Sequence, residues 1–138
     1  MEKYELKKDV NIITVTARSF PDGILDAFRK LEAVIPGVAQ RVFYGISCPD
    51  EKGTIIYKAA VSEIADGEAL IYGFEKFVIT KGTYLVKTIQ NWRKDIPAIG
   101  MAFEQLLKSP ELDLTFPCVE CYNNMDEVAC MVRLDPRK

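Results

Sequence analysis

The stretch Phe116-Pro-Cys-Val-Glu-Cys-Tyr122, followed by a short turn over residues 123–126 and by Glu127-Val-Ala-Cys-Met-Val-Arg-Leu134, decides how the chain is read. Alternate residues of a strand face one side, so Cys118, Glu120 and Tyr122 share a face and Val119 and Cys121 share the other. A turn centred on Asn124-Met125 sets Glu120 opposite Ala129 and Cys118 opposite Met131. It also gathers Val119, Cys121, Val128, Cys130 and Val132 on the far face. Both faces are then largely apolar, the pattern of a strand covered on both sides, and one carboxylate, Glu120, stands in its middle. An ionised carboxylate in such a place needs a hydrogen-bonding or cationic partner, or it takes up a proton. The small Ala129 and the aromatic Tyr122 around it point to a lined hollow, and so to an acid that faces a ligand.

Outward from that hairpin, composition sets bounds. The chain has 138 residues, 49% hydrophobic and 28% charged, with a net charge of −2, which fits one globular domain over 1–138. The short basic runs Lys7-Lys8 and Arg93-Lys94 have acids close by, so no nucleic-acid partner is expected. No apolar run reaches the ~20 residues of a membrane span, and the charged N-terminal residues lack a signal-peptide core. A soluble, cytoplasmic protein with no membrane partner is expected. There is no histidine, which removes the common general base and metal ligand. Cys118 and Cys121 have CxxC spacing, but on a strand they point to opposite faces and cannot hold one ion, so no metal site is expected. Cys121 and Cys130 become diagonal neighbours in that register. All four cysteines read as buried thiols in a reducing compartment.

Toward the N-terminus, residues 9–18 read as a strand carrying Val10, Ile12 and Val15. A break at Ser19-Phe-Pro-Asp-Gly23 leads into a helix with Asp22 as N-cap and the apolar stripe Ile24, Leu25, Phe28, Leu31 and Ile35. Pro36-Gly37 ends it. Strands over 41–48 and 54–63 follow, the second with Ile55, Tyr57, Ala59 and Val61 on one face and Lys58 on the other. Residues 74–90 are extended and broken at Lys81-Gly82. Residues 92–107 are helical, with Trp92, Ile96, Ile99, Phe103 and Leu106 in one stripe; Pro97 requires the regular helix to start near it, leaving Trp92 in the preceding turn. The order strand, helix, strand, strand thus occurs twice, over about 9–63 and 75–134. One such unit has open edges and is marginal alone. Two can join edge to edge into one antiparallel sheet with both helices on one face, an α+β fold of duplicated βαββ units with a cleft between the halves.

Gly82-Thr-Tyr-Leu-Val86 after residues 77–80, then a helix, then Val119-Glu-Cys-Tyr122, together with Tyr44-Gly45 and Tyr57-Lys-Ala-Ala-Val61 in the first half, resemble the GyrI-like small-molecule-binding domain. The same domain forms the effector-binding part of bacterial multidrug-responsive transcription activators. The resemblance covers nearly the whole chain. It implies a ligand cleft in which Glu120, the acid of a Glu-x-Tyr pattern, lies among aromatic residues, here Tyr122, Trp92, Tyr57 and Tyr44. No segment reads as a helix-turn-helix domain, so the expectation is a stand-alone module for apolar or cationic small molecules, serving in sensing or sequestration. Tyrosine and tryptophan faces favour a positively charged ligand. The resemblance also carries two alternatives. One is a hydrolase of electrophilic toxins, with Glu120 as the catalytic base assisting water. The other is a protein-binding inhibitor of the gyrase-inhibitor type, which would add a protein partner. No cofactor is expected; a haem reading is weakened by the lack of a histidine ligand.

Overall fold

A computed structural model describes all 138 residues, Met1 to Lys138. Its elements in chain order are β1 (Glu2–Leu6), β2 (Val10–Thr16), α1 (Ile24–Val34), β3 (Phe43–Pro49), β4 (Ile55–Ser62), α2 (Glu68–Tyr72), β5 (Glu75–Ile79), β6 (Gly82–Gln90), α3 (Pro97–Leu106), β7 (Cys118–Tyr122) and β8 (Glu127–Arg133). Short 3-10 turns occupy Val38–Gln40 and Trp92–Lys94. Strands and helices are combined without parallel pairing, which makes the fold α+β. No helix is long and apolar enough to cross a membrane.

The chain forms two compact units, Asp9–Ile79 and Met1–Lys8 with Thr80–Lys138. In the first unit the strands lie in the order β5-β2-β4-β3. Tyr57, Ala59 and Val61 alternate along β4 and pack with Ile13 under Ala27, Leu31 and Ile35 of the α1 region. The expected stripe needs one change: Leu25 is exposed and Ala27 takes the inward place. The expected cap also differs. Gly23 is the N-cap, without a side-chain hydrogen bond. Its N–H donates to Ser19 O at 3.1 Å, and a Cβ there would lie 2.8 Å from Ser19 N and O. The turn is too tight for any residue but glycine at that point.

Glu75–Ile79, read from the sequence as the head of the second copy, pairs with β2. α2, with no counterpart in the sequence reading, is fixed by a buried ion pair. Arg41 Nη1 and Nη2 donate to Glu68 Oε1 and Oε2 at 2.9 and 2.7 Å. Arg41 also donates to Ser62 O at 3.0 Å, and Glu68 Oε1 accepts from the N–H groups of Ile64 and Ala65 at 2.6 and 3.0 Å. The Arg41 guanidinium and those backbone donors hold the Glu68 carboxyl down at about 2.

In the second unit the order is β1-β6-β8-β7. β1 pairs with β6 from Glu2↔Val86 to Leu6↔Gly82; its sequence, Glu-Lys-Tyr-Glu-Leu, carries no apolar period because it is an edge strand exposed along most of its length. The break before β6 falls at Gly82, at φ 146°, where a Cβ would meet the Arg133 guanidinium at 3.0 Å. α3 begins with Pro97 in its first turn, as the sequence requires. It buries Ala102 and Leu106 against Leu112, Cys130, Val132 and Leu134, with Leu85, Ile89, Ile99, Phe103 and Cys118 partly buried around them. Ile96, expected in that stripe, is exposed.

Candidate functional site

The β7–β8 hairpin forms, but in a register one residue away from the expected one. Glu120 lies opposite Cys130, and Cys121 opposite Ala129. The cause is the turn. Asn123 N–H donates to Glu127 O at 3.1 Å, enclosing three residues instead of two. Asn124 Oδ1 accepts from the N–H groups of Asp126 and Glu127 at 2.8 and 2.9 Å, an Asx-type bond that stabilises this longer path. A one-residue slip turns every side chain of the partner strand to the other face. Glu120 and Tyr122 therefore share a face with Val128, Cys130 and Val132, and this is the face α3 covers through Cys130 and Val132. Cys121, by contrast, stands on the face away from Cys130, so those two thiols are not the diagonal neighbours expected. None of the four cysteines is in a disulfide, and of the four expected to be buried only Cys130 is; Cys118 and Cys121 are partly buried and Cys48 is exposed.

On that face Glu120 is 9% exposed. Tyr122, two residues along the same strand, donates its phenol O–H to Glu120 Oε1 at 2.6 Å. A hydrogen bond to a carboxylate is stronger than one between neutral groups and fixes its direction. Tyr122 is held in turn by Trp92, whose ring lies 5.1 Å from it at 63°, an edge-to-face contact. Trp92 sits in the 3-10 turn before α3, and its backbone N–H reaches Asp126 O in the hairpin turn at 3.3 Å. Two turns far apart in sequence thus meet and set the aromatic pair beside the acid. The indole Nε1 is buried and has no hydrogen-bond partner. An unmet buried donor costs about 1–3 kcal/mol, so this wall of the site is not at its energetic best. The Arg93 guanidinium lies over the Trp92 ring at 5.4 Å.

Across β8, Lys87 pairs in register with Cys130 and so lies in the same row as Glu120. Its Nζ donates to Gln105 Oε1 on α3 at 2.7 Å. Burial, reinforced by the nearby Glu120 charge, pushes the Cys130 thiol up to about 12. It stays protonated at neutral pH and is no nucleophile.

Of the five residues singled out from sequence, Glu120, Tyr122 and Trp92 come together within the second unit. Tyr57 and Tyr44 belong to the first. Tyr57 is 2% exposed in the α1 core, its ring 5.8 Å from Phe20 and 6.4 Å from Phe28. Tyr44 pairs with Ala60 and alternates with Phe43, which packs on the α1 core, so Tyr44 points to the other face. Lys58, opposite Ile46, shares that face, on which Tyr44, Ile46 and Ala60 are themselves buried. Sequence reasoning missed Arg93, Lys87 and Cys130 as neighbours of the site. The adjacent Trp-Arg pair was the one local signal for Arg93; the other two follow only from the correct register.

No family model matches the chain, and no curated protein does. Solved structures do. An integron cassette protein from the mobile metagenome of Vibrio cholerae matches with a TM-score of 0.70 at 11% identity, over 97% of this chain and 95% of its own. SAV2435, in a structure bound to tetraphenylphosphonium, matches at 0.64 and 14%, over 96% and 94%. A hydrolase from Listeria innocua matches at 0.62 and 8%, over 97% and 91%. At such identities the likeness is one of fold alone.

Proposed function

We propose that this protein binds small hydrophobic organic molecules, cationic ones in particular, at Glu120, Tyr122 and Trp92. The observation that carries the reading is the buried Glu120 carboxylate, oriented by the Tyr122 phenol at 2.6 Å and flanked by the Trp92 ring. Each part supplies something a lipophilic cation needs. The carboxylate gives the counter-charge, in surroundings dry enough to make charge pairing stronger than in water. The two ring faces give apolar contact and a negative quadrupole. The phenol keeps the carboxylate pointed while the ligand is absent. That SAV2435, of the same fold, has been seen with tetraphenylphosphonium supports the ligand class. A sensing or sequestering role follows from such binding without chemistry.

Calorimetric titration with tetraphenylphosphonium and with neutral triphenylphosphine oxide tests the reading. Wild type should prefer the cation, and Glu120→Gln should weaken cation binding about tenfold, roughly 1.4 kcal/mol, while the neutral compound binds as before. Unchanged cation affinity in Glu120→Gln sinks the proposed role. Turnover of an electrophile panel by wild type, lost in a folded Glu120→Ala, would replace binding with the hydrolytic alternative.

A further inference from the structure

We infer that Arg93 is a resident cation on the Trp92 face, which the cationic group of a ligand displaces as it binds, so that Arg93 sets which cations enter. The class this fits is a flat, delocalised monocation of the aryl amidinium or aryl guanidinium kind. The inference rests on the binding reading above and deepens it.

The geometry is that of an occupied aromatic site. The Arg93 guanidinium stands 5.4 Å from the Trp92 ring centre, within cation–π range. A planar, weakly hydrated guanidinium is the protein's own nearest equivalent of an aryl amidinium. What holds it there is weak. Arg93 is exposed, and its Nη2 meets the Met125 thioether sulfur at 3.8 Å, a poor acceptor. The turn beneath is joined to the hairpin turn by a long 3.3 Å backbone bond. The buried Trp92 Nε1 lacks a partner in this arrangement, so the molecule loses little when the turn shifts. Trp92 in turn touches Tyr122, whose hydroxyl is on Glu120. A cation that takes the place of Arg93 therefore lands on the aromatic pair that leads to the acid, and exchange of one cation for another keeps the ring face covered. A neutral ligand gains no such exchange.

The test is a titration of benzamidinium and of neutral benzamide into wild type, Arg93→Ala and Arg93→Lys, read by the emission of Trp92, the single tryptophan. Removing the guanidinium should tighten benzamidinium binding about 2–5-fold and benzamide binding by less, since only the cation is also relieved of repulsion by Arg93. Arg93→Lys, which keeps the charge but stacks less well, should fall between. Equal or weaker benzamidinium binding by Arg93→Ala overturns the inference. So does equal tightening of both compounds, the result a general loosening of the turn would give. A Glu120→Gln arm separates the two levels. If it abolishes cation preference while Arg93→Ala changes nothing, the binding reading stands and the role of Arg93 falls. If wild type itself shows no preference for benzamidinium, both fall together.

Discussion

The two units use one plan for opposite ends. Each lays a helix over a four-stranded antiparallel layer, and each buries a glutamate. In the Asp9–Ile79 unit the buried acid is Glu68, clamped by both arms of Arg41 and by two backbone N–H groups. In the other unit it is Glu120, met by a phenol and bordered by an indole. The tyrosines divide the same way. Tyr57 disappears into aromatic packing beneath α1, whereas Tyr122 spends its hydroxyl on the acid beside it. The Arg41 clamp makes Glu68 part of the scaffold; Glu120 is instead oriented by a neutral phenol, the arrangement on which the proposed cation binding rests. Fold alone does not separate these cases, since function resides in sites and not in architecture.

The contrast breaks first at the ion pair. Arg41→Ala strands the Glu68 charge in the interior and should cost about 3–5 kcal/mol in chemical denaturation. Glu120→Gln, by contrast, removes a charge and keeps the Tyr122 contact, and should cost less than about 1 kcal/mol. If Glu120→Gln proves as damaging as Arg41→Ala, the carboxylate is part of the scaffold and the distinction between the units fails.

Acid sharpens the same comparison. Glu68 is held down at about 2 from an ordinary 4.5, chiefly by the Arg41 guanidinium. A depressed carboxyl stabilises the fold above its unfolded value and loses that stabilisation as pH falls through the folded one. The wild-type advantage over Glu68→Gln should therefore be flat above about pH 5 and shrink as pH falls toward 2. Asp135 in the other unit, also held at about 2 by Arg137, titrates alike in both proteins and cancels in the difference. A pH-independent gap would show that Arg41 does not act on Glu68 through charge.

The smallest effect concerns the helices. α1 has no glycine within it, whereas α3 carries Gly100 on its exposed side, where an added Cβ meets nothing within 4 Å. Gly100→Ala should raise the thermal midpoint, by about 0.5–1 kcal/mol of stability. If it also weakens ligand binding, the open space beside α3 is used by the ligand and not merely left empty.

How much of this was legible in the sequence follows from how local each cause is. The helices showed because apolar residues recur at helical spacing, and Pro97 marked where the second begins. Glu120 showed as a lone charge within an apolar strand, and Tyr122 because strand alternation ties i to i+2. The register did not show, since it depended on Asn124 folding back onto two amides and lengthening the turn by one residue. That single count moved Cys130 to the side of Glu120. α2 escaped because five residues give too short a pattern, and because its anchor, Arg41, is 27 residues from Glu68. Trp92 meeting Tyr122 is likewise a product of two distant turns. Tyr44 and Tyr57 entered the site only through the aromatic cleft that the family resemblance implies, and a resemblance does not show whether a given ring lines a cleft or packs in a core.

The pairing of β1 with β6 bears on how the chain is born. β1 precedes Asp9–Ile79, the whole of the other unit, and its partner strand follows that unit. During synthesis at about 5–20 residues per second, the intervening unit can close on itself while β1 waits with its backbone unclaimed. A greasy segment in that position would be a nucleus for sticking to neighbouring nascent chains. The charged Glu-Lys-Tyr-Glu-Leu sequence keeps it harmless until β6 leaves the ribosome.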